Sequence, residues 1–267
     1  MPAIQPAVLR QQAALLAEHF DQPIAFSRSL RHLLEVYADR THRSGRLGIP
    51  PPLSPAYHVR PPVLRQVLLE LKPLISEFPE KALLLCDALW LDEYYEFRIL
   101  AIRILGQTTP VPHERVLQRI REWIGGQPEK RLVEAIIQEG CSRLQAEQPD
   151  AYLEQVESWV MHPQAYYQQI GLQAILPVIK NGNYVNLPVI FQLLQPLVVT
   201  IQPAVKQDII DLLKALAETS PFETAFFLRQ NLDNYENPGY PFLMRQVLGS
   251  FPSDLQESLR QEVRKYS

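Results

Sequence analysis

The chain has little with which to cross-link itself. Its two cysteines, Cys86 and Cys141, exclude a disulfide framework, and neither joins a CxxC pair or a Cys/His group at metal-ligand spacing. Both sit in apolar helical patterns and read as buried free thiols of a cytoplasmic protein. Glycine is scarce too: 10 glycines against 24 prolines give many stiff punctuation points and few flexible ones. No glycine-rich phosphate loop and no nucleophile elbow occur, which disfavours nucleotide hydrolysis and acyl transfer. The histidines at 19, 32, 42, 58, 113 and 162 show no zinc spacing, so neither metal nor cofactor is expected. Long apolar runs are missing as well. The most apolar stretch is interrupted by Gln192 and Gln195, and Met1-Pro2-Ala3-Ile4 begins no secretory signal, so no membrane segment is expected.

What is present is an ordinary foldable mixture, 46% hydrophobic and 21% charged. A net charge of -3 argues against a protein that coats nucleic acid by bulk electrostatics. The distribution is less even than the sum. Arg28, Arg31, Arg40, Arg43, Arg46, Arg60 and Arg65 face only two acids in the same stretch, Glu35 and Asp39, and no lysine. Such a segment on an acidic body either grips phosphate or an acidic partner, or solvates the outer faces of two helices.

Apolar residues recur at helical spacing almost everywhere. Leu9, Ala13, Leu16 and Phe20 form one stripe, Leu64, Val67, Leu68 and Leu71 another, and Phe97, Leu100, Ala101, Ile104 and Leu105 a third. The pattern continues through Val116, Ile120, Trp123 and Ile124, through Val133, Ile136, Ile137, Cys141 and Leu144, and through Val205, Ile209, Leu212, Leu213 and Leu216. No alternating stretch competes, and an all-α protein follows. Ser220-Pro221-Phe222-Glu223 and Ser253-Asp254-Leu255-Gln256 read as capping boxes. Pro112, Pro128, Pro149, Pro163, Pro188, Pro203 and Pro241 mark helix starts, while Gly106, Gly125-Gly126 and Asn181-Gly182 mark stops. Pro177 is the exception, a proline inside a helical run that should bend it.

Trp90, Trp123 and Trp159 are separated by 33 and 36 residues, each near the end of an apolar helical stretch. Two helices and two turns fit that length, the period of stacked helical-hairpin solenoids. The expectation is a single domain over 1–267, a curved HEAT-like stack of antiparallel helix pairs. It has a basic module at 1–65 and repeats at 66–267. Its proline-rich loop at 45–62, with Ile49-Pro50-Pro51-Pro52, Pro55 and Pro61-Pro62, is long enough to be functional or else a packed connector.

Several segments resemble a known family. Leu89-Trp90 followed by Glu96-Phe97-Arg98 and an apolar helix resembles the repeat motif of the HEAT-like DNA alkylation repair family. Leu47-Gly48-Ile49, leading through prolines to Val63-Leu64-Arg65, is similar to its entry into a second helical pair. The helix ending at Trp159, followed by Tyr166-Tyr167-Gln168-Gln169, is similar to its central repeat. Active members release cationic alkylated purines from DNA. The resemblance implies a concave surface holding duplex DNA, a carboxylate beside the deoxyribose and aromatic rings beside the lesion.

That logic is physical: departure of the base builds positive charge on the sugar, which a fixed anion stabilises. Trp123 matches an expected tryptophan, but Gln127 stands where an aspartate is expected one turn on, and Gln168 and Gln169 where an arginine is expected. These four residues are the possible lesion-facing set, and no residue is assigned as catalytic; Glu122 or Glu129 enters if the alignment shifts by a turn. Asp92, Glu93 and Glu96 form an acidic cluster that is either a paired-carboxylate site or a complement to the following helix's positive end. The tryptophans either line a DNA-facing surface or fill interfaces between helical pairs.

The reading that results is a monomeric, cytoplasmic relative of the alkylation repair family. It binds double-stranded DNA through the seven arginines, with reduced or absent base excision. Its alternatives are an active alkylpurine glycosylase and a non-catalytic scaffold for a protein partner.

Overall fold

The computed structural model describes residues 4–39, 52–180, 186–232 and 239–265. Among these the secondary structure is helical and no strand occurs, so the all-α expectation holds. Contacts divide the chain into two compact units, Met1–Gln148 and Pro149–Ser267.

The first unit contains α1 (Pro6–Ala17), α2 (Pro23–Tyr37), α3 (Pro61–Glu77), α4 (Pro79–Trp90), α5 (Tyr95–Leu105), α6 (His113–Gly125), α7 (Lys130–Ala135) and α8 (Ser142–Glu147). Proline opens each of the first four helices, where its fixed φ suits the first turn and its missing N–H costs nothing. Packing runs in two rows. In one, α1 lies on α3, α3 on α5, and α5 on α7. In the other, α2 lies on α4, and α4 is tied to α6 by Asp87 with Arg119 and by stacked Trp90 and Trp123. The apolar stripes point between the rows: Leu9, Ala13 and Leu16, then Val67 and Leu71, then Phe97, Leu100, Ala101 and Ile104 are all buried. At about 25 cal/mol per Å² of apolar surface, this burial is the main force holding the unit together.

The run from Val133 to Leu144 is less regular than its apolar spacing suggests. Between α7 and α8 the backbone widens into a π-helical segment, Ile136–Gly140. There it meets the end of α5, where Gly106 approaches so closely that a Cβ would lie 1.9 Å from the Glu139 carbonyl oxygen. The Ser142 hydroxyl lies 2.8 Å from that oxygen and 3.1 Å from the Gly106 carbonyl, so the junction's polar groups are satisfied locally.

The second unit contains α9 (Pro149–Val160), α10 (Ala165–Lys180), α11 (Leu187–Val199), α12 (Lys206–Thr219), α13 (Pro221–Leu232), α14 (Tyr240–Val247), and α15 (Ser253–Arg264). Here too helices pack on the next but one: α10 on α12 and α12 on α14 in one row, α11 on α13 and α13 on α15 in the other. Where α9 meets α10, Gly171 leaves room for Val160, since a Cβ would lie 2.6 Å from a Val160 methyl.

A common length runs through both units. Glu80–Arg115, Gln107–Arg143, Asp87–Arg119 and Arg103–Glu139 in the first, and Gln169–Ala204, Gln173–Asp208, Gln195–Asn231 and Arg229–Glu262 in the second, join residues 32 to 36 apart. A residue therefore meets its counterpart one helical pair later. That is the stacking implied by the 33-residue interval between Trp90 and Trp123, whose rings are 4.3 Å apart.

Two local expectations need correction. Pro177 is inside α10 as expected, but it is no exception, because Pro73 lies within α3 and Pro196 within α11. Both of these prolines are exposed, so water can serve the carbonyl each leaves unpaired. Ser253 does not cap α15: it is the first helical residue, Pro252 holds the cap position, and no side chain caps there. The expected stop at Asn181-Gly182 lies outside the described residues.

Candidate functional site

Of the seven arginines, Arg40, Arg43 and Arg46 lie outside the described residues. Arg28 and Arg31 are on α2, whereas Arg65 is on α3 and Arg60 just before it, so the described four fall on both rows of the first unit. Arg28, Arg60 and Arg65 are exposed, and no ion pair engages them among the described residues. Arg31 is different. Its Nη2 is 2.5 Å from Asp92 Oδ2, its Nη1 donates to the Tyr57 hydroxyl at 3.2 Å, and its guanidinium lies 5.2 Å from the Tyr94 ring and 5.1 Å from Phe97. Burial is the largest single influence and works against its charge, but Asp92 together with the Tyr57 and Tyr94 hydroxyls outweighs it and holds Arg31 above its ordinary pKa.

That cluster fastens the end of the proline-rich loop. Tyr57 stacks on Tyr94 with ring centroids 4.5 Å apart, its N–H donates to Glu96 Oε2 at 3.0 Å, and its carbonyl accepts the Asp39 N–H at 3.0 Å. The Pro55 carbonyl accepts the Tyr95 N–H at 2.8 Å. Glu129 accepts the N–H groups of Leu53 and Ser54, the latter at 3.2 Å. His58 holds a left-handed φ of 54°, which such a non-glycine residue adopts only when its surroundings enforce it. The described part of the loop is thus a packed connector. The acidic cluster is divided by the same contacts: Asp92 serves Arg31 and the Tyr94 N–H, buried Glu96 serves Tyr57, and Glu93 stays exposed.

The four residues expected to face a lesion divide between the two units, Trp123 and Gln127 in the first and Gln168 and Gln169 in the second. Trp123 is 3% exposed and lies nearly parallel to Trp90, with 10° between the rings, while the Arg98 guanidinium sits 5.5 Å from Trp90. Gln127 is exposed in the turn after α6, with φ of 50° and its N–H on the Ile124 carbonyl, so its role there is in the backbone. Gln168 is buried on α10, and its Oε1 has no partner. Gln169 donates to the Ala204 carbonyl at 2.7 Å. Of the two substitute carboxylates, Glu129 is occupied by the loop and exposed Glu122 accepts from Gln118 at 2.8 Å.

Sequence reasoning passed over a second group. Tyr95 lies half-buried in the fields of Arg131, Glu129, Arg103 and Glu139; burial raises its phenol pKa against the opposing pull of Arg131. Arg103 Nε and Glu139 Oε2 are 2.6 Å apart, and Glu129 Oε1 and Arg131 Nη2 are buried without partners. On the same α7, Lys130 and Glu134 form a loose pair at 3.9 Å. The 36-residue separation of Arg103 and Glu139 is the one signal that a repeat-length search would have caught. Among the described residues no group of three or more His, Cys, Asp or Glu could hold a metal ion, and no helix is long and apolar enough to cross a membrane.

Comparison with family models matches the chain to DNA alkylation repair enzyme over residues 41–239. The chain belongs to the DNA alkylation repair enzyme family. No curated protein and no solved structure matched it. Membership ties the helical pairs to DNA repair, and the resemblance carried by Trp90, Glu96-Phe97-Arg98 and Tyr166-Tyr167 agrees with it.

Proposed function

We propose that this member of the DNA alkylation repair family is a cytoplasmic monomer that binds duplex DNA by its phosphates and has reduced or absent base-excision activity. The observation that carries the reading is the chemistry at the lesion-facing positions. Gln127, Gln168 and Gln169 are uncharged, and the Trp123 ring is covered by Trp90. At 4 Å and an effective dielectric of 20, a lost carboxylate forfeits about 4 kcal/mol of attraction to a positively charged sugar, or about a thousandfold in rate. The exposed arginines supply phosphate contacts. Three neutralised phosphates give log K a slope of about -3 against log salt.

Two measurements test this. In a low-salt titration with undamaged duplex, wild type binds with that slope, Arg28→Ala and Arg65→Ala each reduce it by about one, and Arg31→Ala leaves it unchanged because Asp92 already engages that charge. Absence of binding at low salt sinks the reading and favours a protein partner. In the second, release of methylated purine from treated duplex is compared with the spontaneous rate. Rapid release favours the active glycosylase, for which one observation speaks: Glu134 offers a carboxylate on α7, with 45% of its side chain exposed and only a loose partner. Abolition of release by Glu134→Gln, in a variant that still binds DNA, assigns that carboxylate to the chemistry.

A further inference from the structure

Between α12 and α14 lies an open cleft of about 370 Å³, walled by Pro203, Lys206, Gln207, Ile210, Phe242 and Gln246. Its components are chemically distinct. Lys206 Nζ lies 4.2 Å from the centre of the Phe242 ring, so a cation and an aromatic face are already held together. Phe242 is 48% exposed, while Ile210 at 4% closes the cleft from the core side. Gln207 and Gln246 bring amide groups that both donate and accept. The two acids beside Lys206 on α12 are absent from the lining: Asp208 accepts from Gln173 at 2.9 Å and Asp211 from Gln207 at 2.9 Å.

We infer that this cleft binds one nucleotide unit, with Lys206 on the phosphate, the apolar wall of Pro203, Ile210 and Phe242 against the base, and the Gln207 and Gln246 amides at the base's edges. Three features select this ligand class. An ammonium without a carboxylate in the lining calls for an anion, and a half-exposed ring calls for a flat apolar body. The volume falls at the lower end of small-molecule sites, enough for a single nucleotide and too small for a stacked run of them. The amides read hydrogen-bonding edges that a simple aliphatic anion lacks. Base contact through an aromatic wall is tolerant of sequence, so the cleft holds any base displaced from the stack in preference to a particular one.

The inference deepens the DNA-binding reading and rests on it for the origin of the nucleotide, so the test has two arms. In the first, the full chain is titrated with deoxyadenosine monophosphate, with deoxyadenosine, and with inorganic phosphate, following the backbone amide resonances of Gln207 and Gln246. The monophosphate is expected to give saturable shifts at both and to bind at least tenfold more tightly than either fragment. Lys206→Ala brings its affinity down to that of deoxyadenosine. Phe242→Ala weakens it about fivefold or more, while Phe242→Tyr retains binding. No saturable shift, or equal binding of phosphate to wild type and both alanine variants, overturns the inference. In the second arm the same proteins are titrated with duplex containing a single unpaired base. Loss of its advantage over plain duplex in Lys206→Ala and Phe242→Ala supports the site as part of the DNA surface. Monophosphate binding with no duplex binding leaves the nucleotide site standing and removes the DNA reading. Duplex binding with no monophosphate binding does the reverse.

Discussion

Replacing Trp123 by alanine separates a structural tryptophan from a lesion-facing one. The indole is 3% exposed, and its ring lies 4.3 Å from that of Trp90 across the interface between α6 and α4. Truncating a buried tryptophan costs about 3–5 kcal/mol, and an offset aromatic stack adds about 0.5–1.5 kcal/mol to what burial alone provides. Against a total domain stability of about 5–15 kcal/mol, that is a large share. At about 2–4 °C per kcal/mol for 150–250 residues, the combined loss of about 3.5–6.5 kcal/mol should lower the melting temperature by about 7–26 °C. The assay is urea unfolding followed by far-ultraviolet circular dichroism, with tryptophan fluorescence alongside. Trp90 loses its stacking partner, so native emission should shift to the red before the helices melt. Trp123→Phe keeps a ring in the site and should lose less. If Trp123→Ala costs under about 1 kcal/mol, the range of an ordinary surface change, the indole is not committed to the interface and the argument that removes it from the lesion side fails. Any comparison of DNA binding or base release with this variant belongs well below its own melting temperature.

Three further outcomes follow from packing and burial. Gly106→Ala drives a Cβ into the Glu139 carbonyl, 1.9 Å away, and should destabilise the protein by at least about 3 kcal/mol, whereas Gly125→Ala meets nothing within 4 Å and should be neutral or slightly stabilising in the same urea assay. Burial raises both thiols, Cys141 to about 12 and Cys86 further, so a thiol reagent at about pH 8 should label neither in the native chain and both after denaturation; prompt native labelling would contradict their burial. Burial also raises the phenol pKa of Tyr57, Tyr95, Tyr166 and Tyr240. The unfolded chain releases these protons near their ordinary pKa of about 10 while the folded chain holds them, so this stabilisation is complete below about pH 10 and is lost as pH rises through the raised values. Urea midpoints that stay flat above pH 10 would refute it.

The helices were legible because their signals are local. Proline in the first turn of α1 to α4, apolar spacing on α3, α5 and α6, and Gly106 at the end of α5 each act within a few residues. The 33-residue interval between Trp90 and Trp123 went further, because a repeat converts sequence separation into spatial contact, and the pair does meet. What escaped was set by neighbours distant in sequence. The π-helical segment at Ile136–Gly140 follows no signal in its own residues, whose apolar spacing is that of an ordinary helix. It lies where the end of α5 presses on Glu139. Pro73 and Pro196 passed unnoticed because an interior proline costs less where water can serve the carbonyl it leaves unpaired, and exposure is a property of the packed helix.

The site was less legible than the fold, for a reason visible in Arg31. By composition it belongs with Arg28 and Arg65, a cation on a basic segment. By position it belongs with Asp92, Tyr57 and Tyr94, where its charge is already matched. A formal charge contributes to binding a polyanion only while it is unpaired and facing water, and pairing here is decided by residues 26 and 61 positions away. The same reasoning lowers the count of arginines available to phosphate and raises the weight of a lone lysine. Lys206 attracts no attention in the sequence, where Asp208 and Asp211 lie close by, yet in the fold each acid accepts from a glutamine amide, neither lines the cleft, and the ammonium lies against an aromatic ring there. Net charge along a segment is therefore a poor guide to where this protein could hold an anion. Charge remaining after internal pairing is the better one; among the described residues it includes Arg28, Arg60 and Arg65 in the first unit, and in the second Lys206, which a cleft and an aromatic ring set apart from the other cations.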